Sequence, residues 1–178
     1  MSTVNTSASR DNNRVPIVVD GVTLASNNQV FSGNNTTVYT PIFTITGTVE
    51  IRGLWGVVTT TMGVNHTAAY FRINDQTATP AITLAAGVTL SGLAVGTTIV
   101  KKGLAGAAVT LLDNAAGRVS EPTTLETTYF SPFVVMKKTG ALTQIEYSYA
   151  TTDAGTTGAM TFYARFIPLS QDGNLTIV

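Results

Sequence analysis

The side chain with the widest chemical repertoire in this chain is its single histidine, His66. A histidine can act as a general base or a metal ligand, because its ordinary pKa lies near neutrality. The chain has no cysteine, so a metal at His66 would need carboxylates as its other ligands, and no spaced group of Asp or Glu stands near it in sequence. The surrounding segment GVNHT is typical of a turn between strands. We therefore expect a solvated or hydrogen-bonded turn histidine.

Nucleophilic catalysis has no positive motif here. The serines offer no G-x-S-x-G turn, and a Ser-His-Asp triad would have to recruit His66. A cupin-like metal enzyme needs several histidines, which one cannot supply. The cupin-like enzyme and a glycan hydrolase are the functions that we rank last. We therefore expect that the protein is not an enzyme.

Four aspartates stand at predicted turns, each beside Asn, Gln, Ala or Gly. They are Asp75, Asp113, Asp153 and Asp172. Such carboxylates can bind calcium or form the pair that cleaves a glycoside, but no D-x-D-x-D loop is present. Aspartate also stabilises turns through its side-chain hydrogen bonds, and this is the interpretation we favour. The sequence thus predicts no metal site and no cofactor.

The basic residues are few and scattered. The pairs Lys101–Lys102 and Lys137–Lys138 are too short for a nucleic-acid footprint, and the formal net charge is zero. The glycines at 103–106 lack the G-K-[ST] ending of a phosphate loop, so they indicate a turn. The uncharged run 81–100 has the length of a membrane span, but Gly, Thr and Ser interrupt it. We expect neither nucleic acid nor membrane as a partner.

The elements that must position these residues are β-strands. Threonine, which is β-branched and suits a pleated strand, occurs 32 times, and apolar and polar residues alternate in several runs. We predict about eight strands, at 15–19, 39–46, 49–57, 69–75, 129–136, 143–149, 160–166 and 175–178. Runs of this kind favour an all-β, antiparallel β-sandwich, with a jelly roll as first choice and an immunoglobulin-like sandwich as second.

Three local predictions accompany this fold. The runs 143–149 and 160–166, joined by a Thr/Ala/Gly loop, should pair as antiparallel neighbours. One short helix is expected near 105–112. Trp55 lies on the apolar face of its strand in the alternating pattern, so the core is its expected place, although an exposed Trp55 would suit stacking on a sugar.

Two regions are expected to contact other proteins. Residues 1–14 are polar and form a predicted flexible arm before a single domain at 15–178. The arm carries two basic residues, Arg10 and Arg14, and we place its contact with a neighbour there and at Val15. Tyr147, Tyr149 and Tyr163 are candidates for an oligomer interface, where tyrosine is enriched.

Four stretches carry a resemblance to a known group. They are VEIRGLWGVVTT at 49–60, PFVV at 132–135 followed by Gly140, the strand at 145–147, and AMTFYARFIPLS at 159–170. From about residue 40 onwards, the chain resembles small virion proteins of tailed bacteriophages. The resemblance implies a jelly-roll-like decoration or cement protein on the outer surface of the capsid. Its partners would be the major capsid protein and further copies of itself, with a trimer favoured.

The composition is consistent with that role, because low charge and zero net charge suit a protein inside a repeated assembly. The alternative is a virion spike or fibre head, or a lectin-like domain that binds a receptor glycan. Exposed aromatic side chains beside acidic or amide groups would favour this alternative.

Overall fold

The computed structural model describes residues 21–33, 36–76, 81–101, 106–112, 132–151 and 157–178. Within these ranges the backbone forms strands and no helix, which confirms the predicted all-β class. The strands are β1 (Val22–Val30), β2 (Thr37–Thr46), β3 (Thr48–Thr60), β4 (His66–Asn74), β5 (Ile82–Thr83), β6 (Thr98–Val100), β7 (Thr110–Leu112), β8 (Phe133–Met136), β9 (Thr143–Thr151), β10 (Ala159–Pro168) and β11 (Asn174–Ile177).

The strands form two antiparallel sheets. Sheet A has the order β1-β10-β3-β6-β7, and β8 pairs with the first residues of β3. Sheet B has the order β11-β2-β9-β4-β5. The predicted antiparallel β-sandwich is therefore confirmed, whereas the jelly-roll connectivity stays a prediction.

The core lies between the two sheets and is rich in aromatic rings. Tyr147 of β9 and Phe162 of β10 face each other with their ring centroids 4.9 Å apart. Phe71 of β4 meets the same Phe162 ring edge-on at 5.9 Å. Burying one such side chain contributes roughly 1.5–3 kcal/mol, so these contacts supply much of the force that holds the sheets together.

The predicted hairpin of 143–149 with 160–166 is wrong. Both segments are strands, but β9 pairs with β2 and β4 in sheet B, while β10 pairs with β1 and β3 in sheet A. Each strand buries an apolar row, and the rows meet face to face across the core rather than edge to edge. Alternation reveals which face of a strand is buried but carries no information on its neighbours.

Two further predictions need correction or fall outside the described residues. The short helix near 105–112 is wrong, because the described part of this segment turns at Gly106 and pairs with β6 as β7. Strand β1 was missed, since its sequence VTLASNNQV alternates weakly and most of its residues are exposed. The predicted strand at 15–19 lies outside the described residues.

A single glycine carries the chain from sheet B to sheet A. Gly47 separates β2 from β3 and has a φ of +52°. A Cβ at this position would collide with the side chains of Asp172 and Ser170. Only glycine combines the left-handed conformation with so close an approach, so Gly47 marks a corner of the sandwich.

Candidate functional site

The outer face of sheet A carries two stacked aromatic rings. Trp55 of β3 and Tyr163 of β10 are directly opposite each other in the sheet, and their rings stack at 5.4 Å with an interplanar angle of 8°. Trp55 lies beside Gly53, where a Cβ would stand 3.1 Å from Cζ3 of the indole. Glycine thus leaves room for the tryptophan ring to lie close to the sheet.

The prediction that Trp55 belongs to the core is wrong, and the reason is a β-bulge. Ile51 pairs with Phe166, whereas Gly53 pairs with Arg165, so Arg52 is an extra residue in β3. An inserted residue reverses the alternation beyond it. Leu54 is therefore fully buried, and Trp55 turns outward.

Exposed aliphatic side chains continue this face at the β8 end. Val134 is 60% exposed, Met136 is 71% exposed and Leu169 is 52% exposed. Met136 and Leu169 flank Thr48, because Met136 pairs with Thr48 and the Leu169 amide donates to the carbonyl of Thr48 at 2.8 Å. We call Trp55, Tyr163, Val134, Met136, Leu169 and Arg165 the sheet A surface.

The sheet A surface has the composition of a protein contact. Trp, Tyr, Met and Arg are enriched at the centres of protein interfaces and supply most of their binding energy. The nearby ionic groups Glu50 and Arg52 pair with each other at 3.2 Å, so their charges compensate and Arg165 is the cationic member of the surface. An apolar and aromatic face with few charged side chains is suited to binding another folded protein.

The outer face of sheet B is built differently. The Nε of Arg72 on β4 donates to Glu146 on β9 at 2.6 Å, and the Asn74 amide donates to the other carboxylate oxygen of Glu146 at 2.7 Å. The Arg72 guanidinium also lies over the ring of Tyr39 on β2, 3.5 Å from its centroid. This network was not predicted from the sequence, because its members stand far apart in the chain and meet only when β2, β9 and β4 pair.

The outward positions of β2, β9 and β4 are polar or aromatic. Tyr39 and Tyr70 stand on either side of Ser148 in the sheet, and Gln144 hydrogen-bonds to Gln76 at 3.2 Å. Within these described strands, the remaining outward positions hold threonine, proline and alanine. We call Tyr39, Tyr70, Arg72, Asn74, Gln144 and Glu146 the sheet B surface.

His66 begins β4 directly after the turn at Val64–Asn65, and it is fully buried. Its Nε2 lies 2.8 Å from the Tyr147 hydroxyl, and its ring stacks on Tyr149 at 4.4 Å. Burial lowers the pKa of His66 to about 4, because the charged form loses its hydration. The hydrogen-bonded interpretation is confirmed and the solvated one is wrong.

The predicted interface tyrosines divide into two groups. Tyr147 and Tyr149 are fully or almost fully buried in the core, so the prediction that their hydroxyls reach a subunit interface is wrong. The Tyr149 hydroxyl donates to the carbonyl of Ser32, and that of Tyr147 meets His66. Tyr163 faces outward beside Trp55, and its place in an oligomer interface stays a prediction.

The aspartates within the described residues have structural partners. Asp172 accepts a hydrogen bond from the Ser170 hydroxyl at 2.7 Å in the turn before β11, which confirms its turn role. Asp75 pairs with Lys138 at 3.1 Å. Among the residues that the structure describes, no three His, Cys, Asp or Glu side chains come together as a metal site. Asp113 and Asp153 lie outside the described residues.

The remaining predicted contacts concern basic residues. Lys101 is almost completely buried near the Phe133 ring, and burial lowers its pKa.

The predicted arm contacts at Arg10, Arg14 and Val15 lie outside the described residues, so they stay predictions. In the described part of the chain, no helix is long and apolar enough to cross a bilayer.

Comparisons with known proteins found no similar one. No protein-family model matches the chain, no curated protein matches it, and no solved structure matches its fold. The two outer surfaces of the sandwich are therefore the basis for any proposal about function.

Proposed function

We propose that this protein is a capsid decoration protein of a tailed bacteriophage. It binds the outside of the phage head and stabilises contacts between major capsid proteins. The observation that carries the proposal is the sheet A surface, where Trp55 and Tyr163 stack on the same face that carries exposed aliphatic side chains at its β8 end. The sequence resemblance to small virion proteins supports the same assignment.

The mechanism of stabilisation is mass action across a lattice. A protein that binds only the assembled shell favours that shell by an amount that grows with its affinity and concentration. Each copy then needs only a modest interface, because the contact repeats around the capsid. The uncharged character of the chain suits such packing, since few ionic groups have to lose their hydration.

The partners in this proposal are the major capsid protein and other copies of the chain, with a trimer favoured. Tyr163, which also belongs to the sheet A surface, is the described residue that we place where the capsid contact adjoins the contact between copies. Native mass spectrometry of the purified chain measures the oligomer number directly. A trimer supports this part of the proposal, and a monomer at micromolar concentration contradicts it.

The first test is the copy number of the chain in purified virions, measured by quantitative mass spectrometry against the major capsid protein. A ratio near one, or a simple fraction of one, supports a decoration layer. A few copies per particle contradict it and favour the alternative of a spike or fibre head. Absence from the particles contradicts both virion assignments.

The second test addresses the sheet A surface itself. Met136→Asp places a charge in a position that is 71% exposed, so folding should be preserved while a dry contact is disrupted. We expect at least tenfold weaker attachment to particles that lack the protein, measured by co-sedimentation. Tyr39→Ala, on the opposite sheet, is the matched control and should attach normally. Equal attachment by both variants would exclude the sheet A surface as the contact.

A further inference from the structure

The two outer faces of the sandwich differ in side-chain composition, so we expect them to bind different ligands. The sheet A surface is aliphatic and aromatic, as protein contacts are. The sheet B surface combines two tyrosines with an ordered set of carboxylate, amide and guanidinium groups. Within the described strands β2, β9 and β4, its outward positions hold no Leu, Ile, Val, Met or Phe. This second face therefore lacks the aliphatic centre that a protein partner would bury.

The tyrosine rings of the sheet B surface are available for stacking. Tyr39 is 46% exposed even though the Arg72 guanidinium covers one face of its ring. Tyr70 is partly exposed, and the two tyrosines lie two strand spacings apart, which is about 10 Å between their backbones. Tyrosines whose backbones are this far apart, on either side of β9, can contact successive rings of an extended ligand.

Ser148, which is fully buried, lies between the two tyrosines, and the polar side chains that follow on the same face of β9 are held in place before any ligand arrives. Glu146 is only 3% exposed and accepts hydrogen bonds from both Arg72 and Asn74. Gln144 donates to Thr44 and accepts from Gln76. A connected network of this kind fixes the side-chain rotamers, so little conformational entropy remains to be lost on binding.

Hydrogen-bonding capacity remains on this face. Among the described residues, the terminal nitrogens of Arg72 have no hydrogen-bonding partner, and neither do the hydroxyls of Tyr39 and Tyr70. The Arg72 and Glu146 charges compensate each other at 2.6 Å, so the site exerts little attraction on an ion. The ligand that fits has apolar faces for the rings, hydroxyls for the remaining donors and acceptors, and no charge.

We propose that the sheet B surface is a binding site for a neutral saccharide, with Tyr39 and Tyr70 as its stacking platforms and Arg72 as its main hydrogen-bond donor. A pyranose ring has a C–H face that packs on an aromatic ring and a rim of hydroxyls that hydrogen-bonds to fixed polar groups. The site lies on the sheet opposite the proposed capsid contact. A capsid-bound copy can therefore hold a surface glycan, and the two proposals can succeed or fail separately.

The test uses the full chain on a glycan array that carries neutral, sialylated and sulfated oligosaccharides. We expect binding to neutral oligosaccharides. An array without any bound glycan, or with binding only to the acidic ones, would overturn the proposal. One neutral oligosaccharide that binds is then titrated by calorimetry against wild-type protein and variants of the two surfaces.

The variants separate stacking from loss of fold. Tyr39→Ala and Tyr70→Ala should each weaken the affinity for this oligosaccharide at least tenfold with thermal unfolding near that of wild type. Tyr39→Phe keeps the ring and should bind within a few-fold of wild type. Trp55→Ala, on the sheet A surface, is the matched control and should bind normally. Unchanged affinity in both alanine variants, or loss of affinity in Trp55→Ala alone, would place the glycan elsewhere and refute the assignment.

Discussion

Two buried side chains, His66 and Ser148, lack part of the hydrogen bonding that burial demands. Among the described residues, neither Nδ1 of His66 nor Oγ of Ser148 has a partner. A buried polar atom without a partner costs about 1–3 kcal/mol, because it has given up hydration and received nothing in return. Their effects on stability can be tested one residue at a time.

His66 should make the protein less stable in mild acid. Its pKa is 6.5 in an unfolded chain and about 4 in the fold, so the folded state disfavours the protonated form. Stability is therefore complete above pH 6.5 and is lost as the pH falls towards 4, by about 3 kcal/mol in total. Between pH 7 and 5.5 we expect a loss of about 1 kcal/mol in the free energy of unfolding, measured by urea denaturation.

This loss can be assigned to one residue, because His66 is the only histidine in the chain. Other side chains with ordinary pKa values do not titrate between pH 5.5 and 7. The variant His66→Gln should lose most of the pH dependence, whatever its overall stability. A slope that persists in this variant would show that another group is responsible.

The second residue-scale prediction compares two buried serines. Ser148→Ala removes a hydroxyl that has no partner among the described residues, so it should be neutral or stabilising by up to about 1 kcal/mol. Ser26→Ala is the matched control. The Ser26 hydroxyl accepts from the Phe162 amide at 2.9 Å and donates to the Asn27 carbonyl at 2.7 Å, so its loss should destabilise by about 1–2 kcal/mol. Thermal melts of both variants test this prediction, and equal destabilisation of the two variants would contradict it.

At the scale of elements, register irregularities determine which side chains are exposed. The bulge at Arg52 turns Trp55 outward, and a second irregularity between Pro41 and Phe43 in β2 brings both Ile42 and Phe43 into the core. A bulge requires only one additional residue, and it changes every assignment beyond it. The proposed protein contact on sheet A depends directly on the first of these.

The corner at Gly47 should be the most sensitive glycine position with a positive φ. Gly47→Ala combines left-handed strain with a collision against Asp172 and Ser170. Gly140→Ala is the matched control, since Gly140 has a φ of +74° and open space around it. We expect about 1 kcal/mol of destabilisation at Gly140, and at least twice that at Gly47, from denaturant unfolding. Similar losses in the free energy of unfolding at both positions would show that the neighbouring side chains move aside at little cost.

At the scale of the whole molecule, the sandwich presents two outer faces of different chemistry and a chain terminus outside the described residues. Sheet A offers Trp55, Met136 and Leu169, whereas sheet B offers Tyr39, Tyr70 and the Arg72–Glu146 pair. Opposite faces can be occupied at the same time. A protein that attaches by one face therefore leaves the other available for a second ligand.

The predicted arm should act in attachment and not in folding. We expect that deletion of residues 1–14 lowers attachment to particles that lack the protein, because an arm that orders on a neighbour adds contact area there. The melting temperature should stay within about 2 °C of the full chain, since residues 1–14 are mostly polar and carry few apolar side chains to bury. Full attachment by the truncated chain would refute the arm's role.

The sequence by itself determined the fold class and most of the strands. Runs in which apolar and polar residues alternate predicted β3, β4, β9 and β10, because alternation follows from the pleat of a single strand. The same local rule identified the buried rows of β9 and β10, including Ile145, Phe162 and Phe166. Properties that depend on one strand at a time were accessible without a structure.

Only the tertiary structure decided which strands are neighbours and which faces are exposed. The separation of β9 from β10 into different sheets, the reversal at Arg52 and the meeting of Tyr39, Arg72 and Glu146 all depend on pairing between distant segments. Pairing is determined by how the sheets pack as a whole, and no local pattern encodes it. Both proposed binding surfaces belong to this second category, because each is assembled from residues that are remote in the chain.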